Sequence, residues 1–583
     1  MAAVAGLICA GCNEGPTEVR FLDLVAMRGL RADGEPLRAR ETLCADETWV
    51  AVTLEPGRPA AAALDLRDRP ILTLAGCLEC ADGAPADLEG SLLGTVRSSD
   101  GRGIEFRVDF DVARGWWEHE VDLGQVANRQ AEFELEAELP ESCVLRLREA
   151  TVRQRRVSAE LPPELPLQVL LISVDTLRRD AVGAFGGSVA TPHLDRFAAE
   201  AEIWTRHYAA ASWTKPSHAS MLTGYYPSTH RAQLQNQAMD SAIPTLAERF
   251  RLAGFSTAAL VFDCGWLSPR WGFSKGFDGY QVSQWRAGRQ ARAAANWVLA
   301  HRDEDFFFFL HTFEPHADRY VLPYEAPGIN QRVIAGDFGV EDFGCRQGLC
   351  SSRFLHGLVR GEIPFEPKDV EILRHTYGAG VKYLDESLET LFDSLRRSGM
   401  WNQMLIVVTS DHGEEFMEHG SLGHTTLFDE IVRVPLLVKW PDGDRSGVEN
   451  RIPCSAVDLA PTLLEFAGLP TGDLPGAPLH RRDEKTPVLI GTLDRAVVVD
   501  GYKAIFGYPE EPPLLFHLTD DPGETENLAE SDPGRLRTLE ELVLTQNEEA
   551  LALYRRIGSG SESREVVLSE RERERLKAFG YLQ

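Results

Sequence analysis

Two uninterrupted apolar runs, each closed by an aspartate, place the strongest constraint on how this chain folds. They are QVLLISVD at residues 168–175 and QMLIVVTSD at residues 403–411. A strand with one face in water alternates apolar and polar residues, whereas a strand covered on both faces does not. Two more such runs, STAALVF and DFFFFLH, lie between them, and helical patterns such as residues 369–397 separate the runs. The sequence therefore predicts an α/β fold built around a parallel sheet.

The residues before this core follow a different pattern. Short apolar runs such as TWVAVTLEP and IEFRVDFD, with Gly, Pro and Asp between them, are typical of an all-β sandwich. Late short runs such as PVLIG and LLFHL, followed by helical patterns near 532–556 and 567–579, predict a small α+β subdomain. The predicted sections are a leader at 1–16, the sandwich at 17–160, a proline-rich linker at 161–167, the α/β core at 168–475 and the C-terminal subdomain at 476–583.

The N-terminal sequence MAAVAGLICAGC is apolar, rich in small residues and ends at Cys12. This pattern resembles the end of a bacterial lipoprotein signal peptide, which predicts export to the periplasm or cell surface and a lipid anchor at Cys12. No Lys or Arg precedes the apolar stretch, and Cys9 stands where Leu is usual. The alternatives are a misassigned start codon and an ordinary buried N-terminal strand. No later apolar run approaches the roughly 18 residues that a membrane span requires.

Cysteine spacing agrees with an oxidising compartment. Cys345 and Cys350 lie in one short loop, FGCRQGLC, and are spaced for a small disulfide. Further candidates for pairing lie in the predicted sandwich: Cys44, Cys77, Cys80 and Cys143. Disulfides persist in secreted and periplasmic proteins and are rare in the cytosol.

The net charge of the chain disfavours two classes of binding partner. The chain has 60 Lys and Arg against 89 Asp and Glu, which gives a formal net charge of −29 at pH 7. Such an excess repels nucleic acid and anionic membrane surfaces, so neither is expected as a target. An anionic substrate has to be attracted locally, by a metal ion or by a few cations.

Asp175 and Asp411 follow two of the buried strands. In open α/β sheets, ligands bind beyond the carboxyl ends of the strands. With His412 beside Asp411, these side chains predict a site for one divalent metal ion. Carboxylate oxygens suit Ca²⁺, Mg²⁺ or Mn²⁺, and the imidazole admits Zn²⁺. Taken singly, each aspartate fits a turn or a helix cap equally well.

The segment SWTKPSHASMLTG at residues 212–224 predicts a helix with Pro216 in its first turn. Thr214 then lies where free backbone N–H groups and the helix dipole favour an anion. The alternative for Thr214 is a capping residue that serves the helix alone.

Three motifs in this order resemble the sulfatase family of the alkaline phosphatase superfamily. The first is LLISVDTLRRDAVGAFG with TPHLDRFAAEAEIWTRHYA, the second is SWTKPSHASMLTGYYP, and the third is TSDHGEEFMEHGSLGHTTLFDEIVRVPLLVKWP. The resemblance covers roughly residues 168–583. It implies an alkaline-phosphatase-like α/β sandwich as the core and a metal-dependent ester hydrolase as the function.

Position in these motifs implies the metal ligands and the nucleophile. The resemblance makes Asp175, Asp411 and His412 metal ligands. It makes Thr214 the residue that attacks the ester and also contacts the metal. One metal ion is implied in this way, and a second stays open.

The same resemblance implies roles for residues around the nucleophile. His316 in FEPH and His424 in GSLGHTT are expected to be catalytic, because the family places contacts to the substrate anion there. Lys215 and His218 flank the nucleophile and are expected to bind substrate. His311 is a further substrate-binding candidate, with a place in the core as its alternative.

The stretch before the linker resembles a jelly-roll accessory domain often attached to bacterial sulfatases. Trp116 and Trp117 lie in it and admit two interpretations. They bind sugar, or they pack between the sheets. The sequence leaves both open.

Three departures from the family pattern bear on the chemistry. Thr176 stands where a second Asp is usual, and His218 stands where an Arg is usual. Thr214 stands where the family has the Cys or Ser that is oxidised to formylglycine. Threonine has a secondary Cβ, so its oxidation would give a ketone and no aldehyde. Relatives in the superfamily that use an unmodified threonine are mainly phosphodiesterases and phospho-group transferases.

The predicted function is therefore a hydrolase of sulfate or phosphorus esters, the latter being phosphate diesters or phosphonate esters. Its substrate is expected to be a sulfated or phosphorylated small molecule or glycan. A phospho-group transferase of the same superfamily is one alternative. A catalytically inactive, surface-anchored carbohydrate-binding protein is the other.

Overall fold

The computed structural model describes residues 166–316, 367–492, 494–507 and 512–557, together with most of the strands and turns between residues 19 and 154. Several sequence predictions lie outside the described residues: the leader at 1–16, Trp116, the Cys345–Cys350 pair and the helix near 567–579. The chain divides into two compact units. The first consists of residues 1–165, 251–258 and 277–284, and the second consists of residues 166–250, 259–276 and 285–583.

The first unit contains two sets of antiparallel strands. One sheet has the order Glu35–Pro36, Arg31–Ala32, Ala60–Leu66, Arg129–Glu138, Glu89–Ser98, Gly103–Asp111. The other set has the order Trp117–Asp122, Pro70–Cys80, Cys143–Gln154, Glu47–Leu54, Gly279–Ser283, with Val19–Arg20 and Arg40–Cys44 paired alongside.

Alternation explains why these segments form strands. In Arg129–Glu138, Phe133 and Leu135 are buried while Glu132 and Glu134 are exposed. Period-two burial of this kind is the pattern of a sheet with one apolar face. The strands agree with the all-β character expected of this part of the chain, while the boundaries at 17 and 160 stay predictions.

The second unit is built on a large mixed sheet. Its strands, numbered along the chain, are β1 Gln168–Val174, β2 Glu202–Trp204, β3 Phe306–Thr312, β4 Leu405–Ser410, β5 Leu436–Lys439 and β6 Glu449–Asn450. Their spatial order is β3–β1–β4–β5–β2–β6. The strand Ser256–Phe262 is also expected from the sequence.

The centre of this sheet is parallel and fully covered. Every residue of β1, β3 and β4 is buried, as their unbroken apolar runs predict. β1 pairs in parallel with both neighbours, so that Val174 lies opposite Thr312 and Ser410. Because the three strands run the same way, their carboxyl ends meet at one edge of the sheet.

The sheet is mixed, because β5 runs against its neighbours. This strand pairs antiparallel with β4, and β2 pairs antiparallel with β5. Antiparallel neighbours need no crossover connection. The chain leaves β4 at Ser410 and re-enters the sheet from the opposite direction at Leu436.

Nine α-helices are described from residue 166 onward. They are α1 Pro192–Ala199, α2 Thr214–Thr223, α3 Pro227–His230, α4 Leu246–Leu252, α5 Ala287–Ala300, α6 Pro367–Ser398, α7 Asp429–Val432, α8 Leu459–Phe466 and α9 Pro533–Ile557. Only the last two residues of α4 are assigned to the first unit. None of the described helices has the length and the apolar run needed to cross a membrane.

The C-terminal part contains the expected small α+β arrangement. Four antiparallel strands form a meander: Val488–Gly491, Arg495–Val499, Tyr502–Phe506 and Leu514–His517. Val497, Ala504 and Leu515 of this sheet form one apolar cluster with Leu539 and Val543 of α9. Short two-residue pairs complete the unit: His207–Tyr208 with Arg433–Val434 and Cys454–Ser455, and Glu415–Phe416 with Leu422–Gly423.

Candidate active site

Two carboxylates lie at the carboxyl edge of the parallel strands. Asp175 directly follows β1, and its backbone N–H donates to the carbonyl of Thr312 at 2.9 Å. Asp411 directly follows β4. The Oδ1 atom of Asp411 accepts from the N–H of His412 at 3.0 Å and from the N–H of Thr176 at 3.3 Å. Both carboxylates are fully buried.

Thr214 is the first residue of α2 and faces this pair. Trp213 before it is extended, and Gly224 at φ 75° ends the helix, since glycine tolerates the left-handed conformation. The Thr214 Oγ1 atom lies 3.4 Å from Asp175 Oδ2 and 3.4 Å from His412 Nε2. The predicted nucleophile therefore lies beside the predicted ligands.

The donor atoms of Asp175, Asp411 and His412 are close enough to share one ion. One ligand atom from each lies within 4.8 Å of the others. His412 Nδ1 lies 3.0 Å from the carbonyl of Gly413, which only accepts, so Nδ1 carries the proton. The Nε2 lone pair then points into the cluster, 3.3 Å from Asp411 Oδ2 and 3.7 Å from Asp175 Oδ1.

Asp411 Oδ2 is a second sign of a cation site. It is buried and accepts no hydrogen bond from any residue that the structure describes. Burial and then the neighbouring Asp175 raise the pKa of Asp411 well above its usual range. Burial and then His424 lower the pKa of His412, which keeps its imidazole neutral. Two close carboxylates and an inward lone pair fit a divalent metal ion.

His311 and His218 lie against the two carboxylates. His311 Nε2 is 3.2 Å from Asp175 Oδ2, and His218 Nδ1 is 3.3 Å from Asp411 Oδ2. The two rings meet edge to face at 4.9 Å. Burial lowers the pKa of His311 to about 3. Both histidines are therefore in the site, each next to its own aspartate, while substrate contacts from them stay predictions.

His316 and His424 complete the histidine group. His316 Nε2 lies 3.9 Å from Asp175 Oδ1, and its ring stacks on Phe313 at 4.1 Å. The His424 ring is 4.4 Å from that of His412 and 5.6 Å from that of His316. Both predicted catalytic histidines thus lie beside predicted metal ligands, His316 next to Asp175 and His424 next to His412, and their catalytic roles stay predictions.

Lys215 is held by other parts of the unit. Its Nζ atom donates to the carbonyls of Leu234 at 2.7 Å and Gln235 at 2.9 Å. It also lies 3.9 Å from the centre of the Trp271 ring. Burial lowers the pKa of Lys215 to about 6. These contacts account for the side chain, and its predicted contact with substrate remains a prediction.

Sequence inspection missed several residues that support the site. Ser217 donates to the carbonyl of Asp411 at 2.6 Å, and Ser410 donates to the carbonyl of Val174 at 2.7 Å. Thr176 has a φ of 55°, a strained value for a β-branched residue. The Tyr377 hydroxyl donates to its carbonyl at 2.8 Å. Of these residues, only Thr176 could have been singled out from the sequence, by its position in the motif. The hydrogen-bond partners of the serine and tyrosine hydroxyls depend on the fold.

Comparison with known proteins settles the family. The Sulfatase family model matches residues 168–469 of this chain. The chain belongs to the sulfatase family. Membership makes it an ester hydrolase of the alkaline phosphatase superfamily, whose members are metal-dependent. The cluster of Asp175, Asp411 and His412 fits that requirement.

Individual relatives of this sulfatase-family chain are distant. It is 24% identical over 369 residues to the uncharacterized sulfatase YidJ of Escherichia coli K12, covering 55% of this chain and 72% of that protein. It is 24% identical over 476 residues to the multifunctional alkaline phosphatase superfamily protein PehA of Trinickia caryophylli, covering 63% and 91%. The crystal structure of the phosphonate monoester hydrolase of Agrobacterium radiobacter aligns with a TM-score of 0.52 at 20% identity, covering 67% and 96%. That likeness confirms the expected alkaline-phosphatase-like α/β fold.

Proposed function

We propose that this chain is a metal-dependent hydrolase that prefers phosphate diesters and phosphonate monoesters to sulfate esters, with Thr214 as an unmodified nucleophile. The position of the Thr214 hydroxyl, 3.4 Å from both Asp175 and His412, carries this proposal. A hydroxyl beside a metal ligand set is suitably placed to be activated for attack. The relatives add support, since PehA is described as multifunctional and the aligned hydrolase acts on phosphonate monoesters.

The side-chain chemistry of threonine favours phosphorus over sulfur. An aldehyde hydrate releases sulfate readily, but threonine can supply no aldehyde because its Cβ carries a methyl group. A phosphothreonine can instead be opened by water at phosphorus. Charge agrees with this choice. Two carboxylates beside one divalent ion leave no net positive charge, and a singly charged ester suits such a site better than a doubly charged one.

Each step is assigned to residues of this chain. Asp175, Asp411 and His412 would hold the ion, which supplies positive charge that lowers the pKa of the Thr214 hydroxyl. The Thr214 hydroxyl then loses its proton to solvent water, and its Oγ forms a bond to phosphorus as the bond to the leaving oxygen breaks. His316 or His424, entering as an imidazolium, gives that oxygen a proton. Water next attacks phosphorus and gives one proton to the same histidine, and the released Thr214 oxygen takes a proton from solvent. The backbone N–H groups at the start of α2 face the anion throughout.

Sulfate ester hydrolysis is the main rival, because it is the activity that the family name carries. A phospho-group transferase is the other, since a second alcohol in place of water would complete the same first step. The inactive carbohydrate-binding alternative has less support. A binding scaffold has no use for the inward lone pair of His412, or for an Asp411 oxygen that accepts no hydrogen bond within the described part of the chain.

A trapping experiment tests the nucleophile directly. The protein is mixed with bis(p-nitrophenyl) phosphate and quenched in acid within milliseconds, and its peptides are analysed by mass spectrometry. The proposal expects a burst of p-nitrophenol and a phosphoryl ester on the peptide that contains Thr214. Turnover with the ester on another residue would refute the assignment of Thr214.

We also propose that the protein is exported to the periplasm or the cell surface. The leader and Cys12 lie outside the described residues, but Cys143 is disulfide-bonded. A disulfide suits the periplasm or cell surface better than the cytosol. Export would place the enzyme where esters from the surroundings arrive.

A further inference from the structure

We propose that His218 is a positioning residue that fixes the nucleophile helix and the Asp411 carboxylate through its Nδ1–H, and that it does not bind substrate. The inference rests on the proposed function for the roles of Thr214 and Asp411. It changes the expectation drawn from the position of His218 in the motif. Three contacts of one imidazole carry it.

The first contact fixes the tautomer. His218 Nδ1 lies 2.9 Å from the carbonyl oxygen of Thr214, four residues earlier in α2. A carbonyl only accepts, so Nδ1 must carry the hydrogen. In a neutral imidazole one nitrogen donates and the other accepts. Its Nε2 atom is then an acceptor.

The second contact uses that acceptor. Ser173 Oγ lies 2.9 Å from His218 Nε2 and donates its hydroxyl hydrogen there. Ser173 belongs to β1, two residues before Asp175. The imidazole therefore ties the helix that begins at Thr214 to the strand that delivers Asp175.

The third contact reaches the other carboxylate. His218 Nδ1 lies 3.3 Å from Asp411 Oδ2, the oxygen that accepts no hydrogen bond from the described residues. The N–H itself points at the Thr214 carbonyl, so its positive end passes beside this oxygen. That field stabilises the Asp411 charge and leaves the oxygen lone pairs available to an ion.

Both ring nitrogens are thus occupied by protein groups. The His218 side chain is fully buried, and the Phe309 and His311 rings cover it at centroid distances of 6.0 and 4.9 Å. A substrate contact would require one of the nitrogens to break its bond to Ser173 or Thr214. One neutral residue instead joins the three segments that carry Asp175, Thr214 and Asp411. Groups behind metal ligands typically change metal affinity or activity by about 10–100-fold when removed.

Replacing His218 with asparagine or glutamine tests the roles of its two ring nitrogens one at a time. The amide nitrogen of His218→Asn can take the place of Nδ1–H, whereas that of His218→Gln reaches the place of Nε2. His218→Ala removes both. Divalent metal affinity is measured by titration calorimetry, with Mn²⁺ and Zn²⁺ as probes, and kcat and KM are measured at saturating metal. Thermal midpoints of the metal-free variants show whether each one folds.

The inference expects His218→Ala and His218→Gln to weaken metal binding and kcat by about 10–100-fold, with KM changed by less than about 3-fold. His218→Asn should retain most of both. Ser173→Ala should lower metal affinity in the wild type by the same small factor as His218→Asn and have no added effect on the His218→Asn background, because asparagine cannot reach Ser173. That non-additivity is a readout that general destabilisation would not produce.

Two results would overturn the inference. One is a large rise in KM with kcat and metal affinity intact in His218→Ala, which marks a substrate contact. The other is a metal affinity in His218→Asn no better than in His218→Gln, which removes Nδ1–H from the account. The ranking of the variants by metal affinity is measured by calorimetry and does not depend on turnover. If the order holds while no phosphorus ester is hydrolysed, the proposed function fails and the positioning role stands.

Discussion

Thr214 Oγ1 lies 3.4 Å from Asp175 Oδ2, although 39 positions separate the two residues in the chain. β1 delivers the carboxylate and the first turn of α2 delivers the hydroxyl. The two meet because ligand-binding residues of an open α/β sheet collect beyond the carboxyl ends of its strands. This pair is the basis of the predictions about catalysis and metal binding.

Removing the Thr214 hydroxyl should abolish turnover without removing the metal. Thr214→Val keeps the shape of the side chain and loses the nucleophile, so kcat should fall by about 10³-fold or more. Thr214→Ser keeps a hydroxyl and should retain much of the activity. Steady-state kinetics with bis(p-nitrophenyl) phosphate distinguishes the pair. Full activity in Thr214→Val would show that the nucleophile lies elsewhere.

Replacing Asp411 with asparagine should remove most of the stabilisation that a bound metal ion gives the folded protein. Wild-type protein should gain about 2.7 kcal/mol when the metal is at about 100 times its Kd. Asp411→Asn should gain little, since it lacks one carboxylate of the cluster. Metal-free Asp411→Asn should be at least as stable as metal-free wild type at neutral pH, because the buried charge beside Asp175 is gone. Thermal midpoints with Mn²⁺ and with EDTA measure both effects.

The stability difference between metal-free wild type and metal-free Asp411→Asn should depend on pH with a definite sign. The pKa of Asp411 is raised in the folded protein, so the folded state binds this proton more readily than the unfolded state does. Metal-free wild type therefore gains stability relative to Asp411→Asn as the pH falls through the raised pKa. If the stability advantage of metal-free Asp411→Asn over metal-free wild type grew on acidification, the burial of a charged Asp411 would be contradicted.

Much of the site followed from residues at the ends of apolar runs. Asp175 and Asp411 could be placed at one edge because β1 and β4 are unbroken apolar strands, and such strands lie parallel and covered. Thr214 could be placed at a helix start because of Pro216. These predictions needed only local patterns and the geometry of parallel sheets.

Contacts between distant segments could not be predicted in the same way. Nothing in the sequence around His218 indicates that its ring reaches Ser173, since that bond depends on how α2 packs on β1. The antiparallel β5 was missed because an apolar run does not show the direction of its strand. The carbonyl partners of Lys215 belong to residues 234 and 235, which carry no pattern of their own.

Lys215 gives a pH-dependent prediction. Burial lowers its pKa to about 6 in the folded protein, whereas an unfolded lysine titrates near 10.4. Between these values only the unfolded state holds the proton, so this residue adds stability as pH rises, by up to about 1.4 kcal/mol per pH unit. The unfolding free energy of wild type minus that of Lys215→Met should therefore increase from pH 6.5 to 8.5.

Lys275 is the matched control for this experiment. Its ammonium also donates to two carbonyls, those of Ser241 and Ile243. Its side chain, however, is 31% exposed and is paired with Glu248 at 2.9 Å. The difference between wild type and Lys275→Met is measured over the same range, and the slope found for Lys215 is compared with it. Equal slopes for the two lysines would show that Lys215 keeps its proton in the folded state.

Export predicts a processed N-terminus. Protein isolated from its native host should lack residues 1–11 and begin at Cys12, with the added mass of a lipid if the anchor is used. Intact-mass measurement of the membrane and soluble fractions tests this. An intact Met1 on cytoplasmic protein would refute export.

The most direct test of the central claim is one substrate panel on the wild-type protein. p-Nitrophenyl sulfate, p-nitrophenyl phosphate, bis(p-nitrophenyl) phosphate and p-nitrophenyl phenylphosphonate are compared by kcat/KM, each with Ca²⁺, Mg²⁺, Mn²⁺ and Zn²⁺. An unmodified Thr214 at a one-metal site predicts the highest values for the phosphate diester and the phosphonate ester. Faster turnover of the sulfate ester than of every phosphorus ester would contradict the account and leave ordinary sulfatase activity in its place.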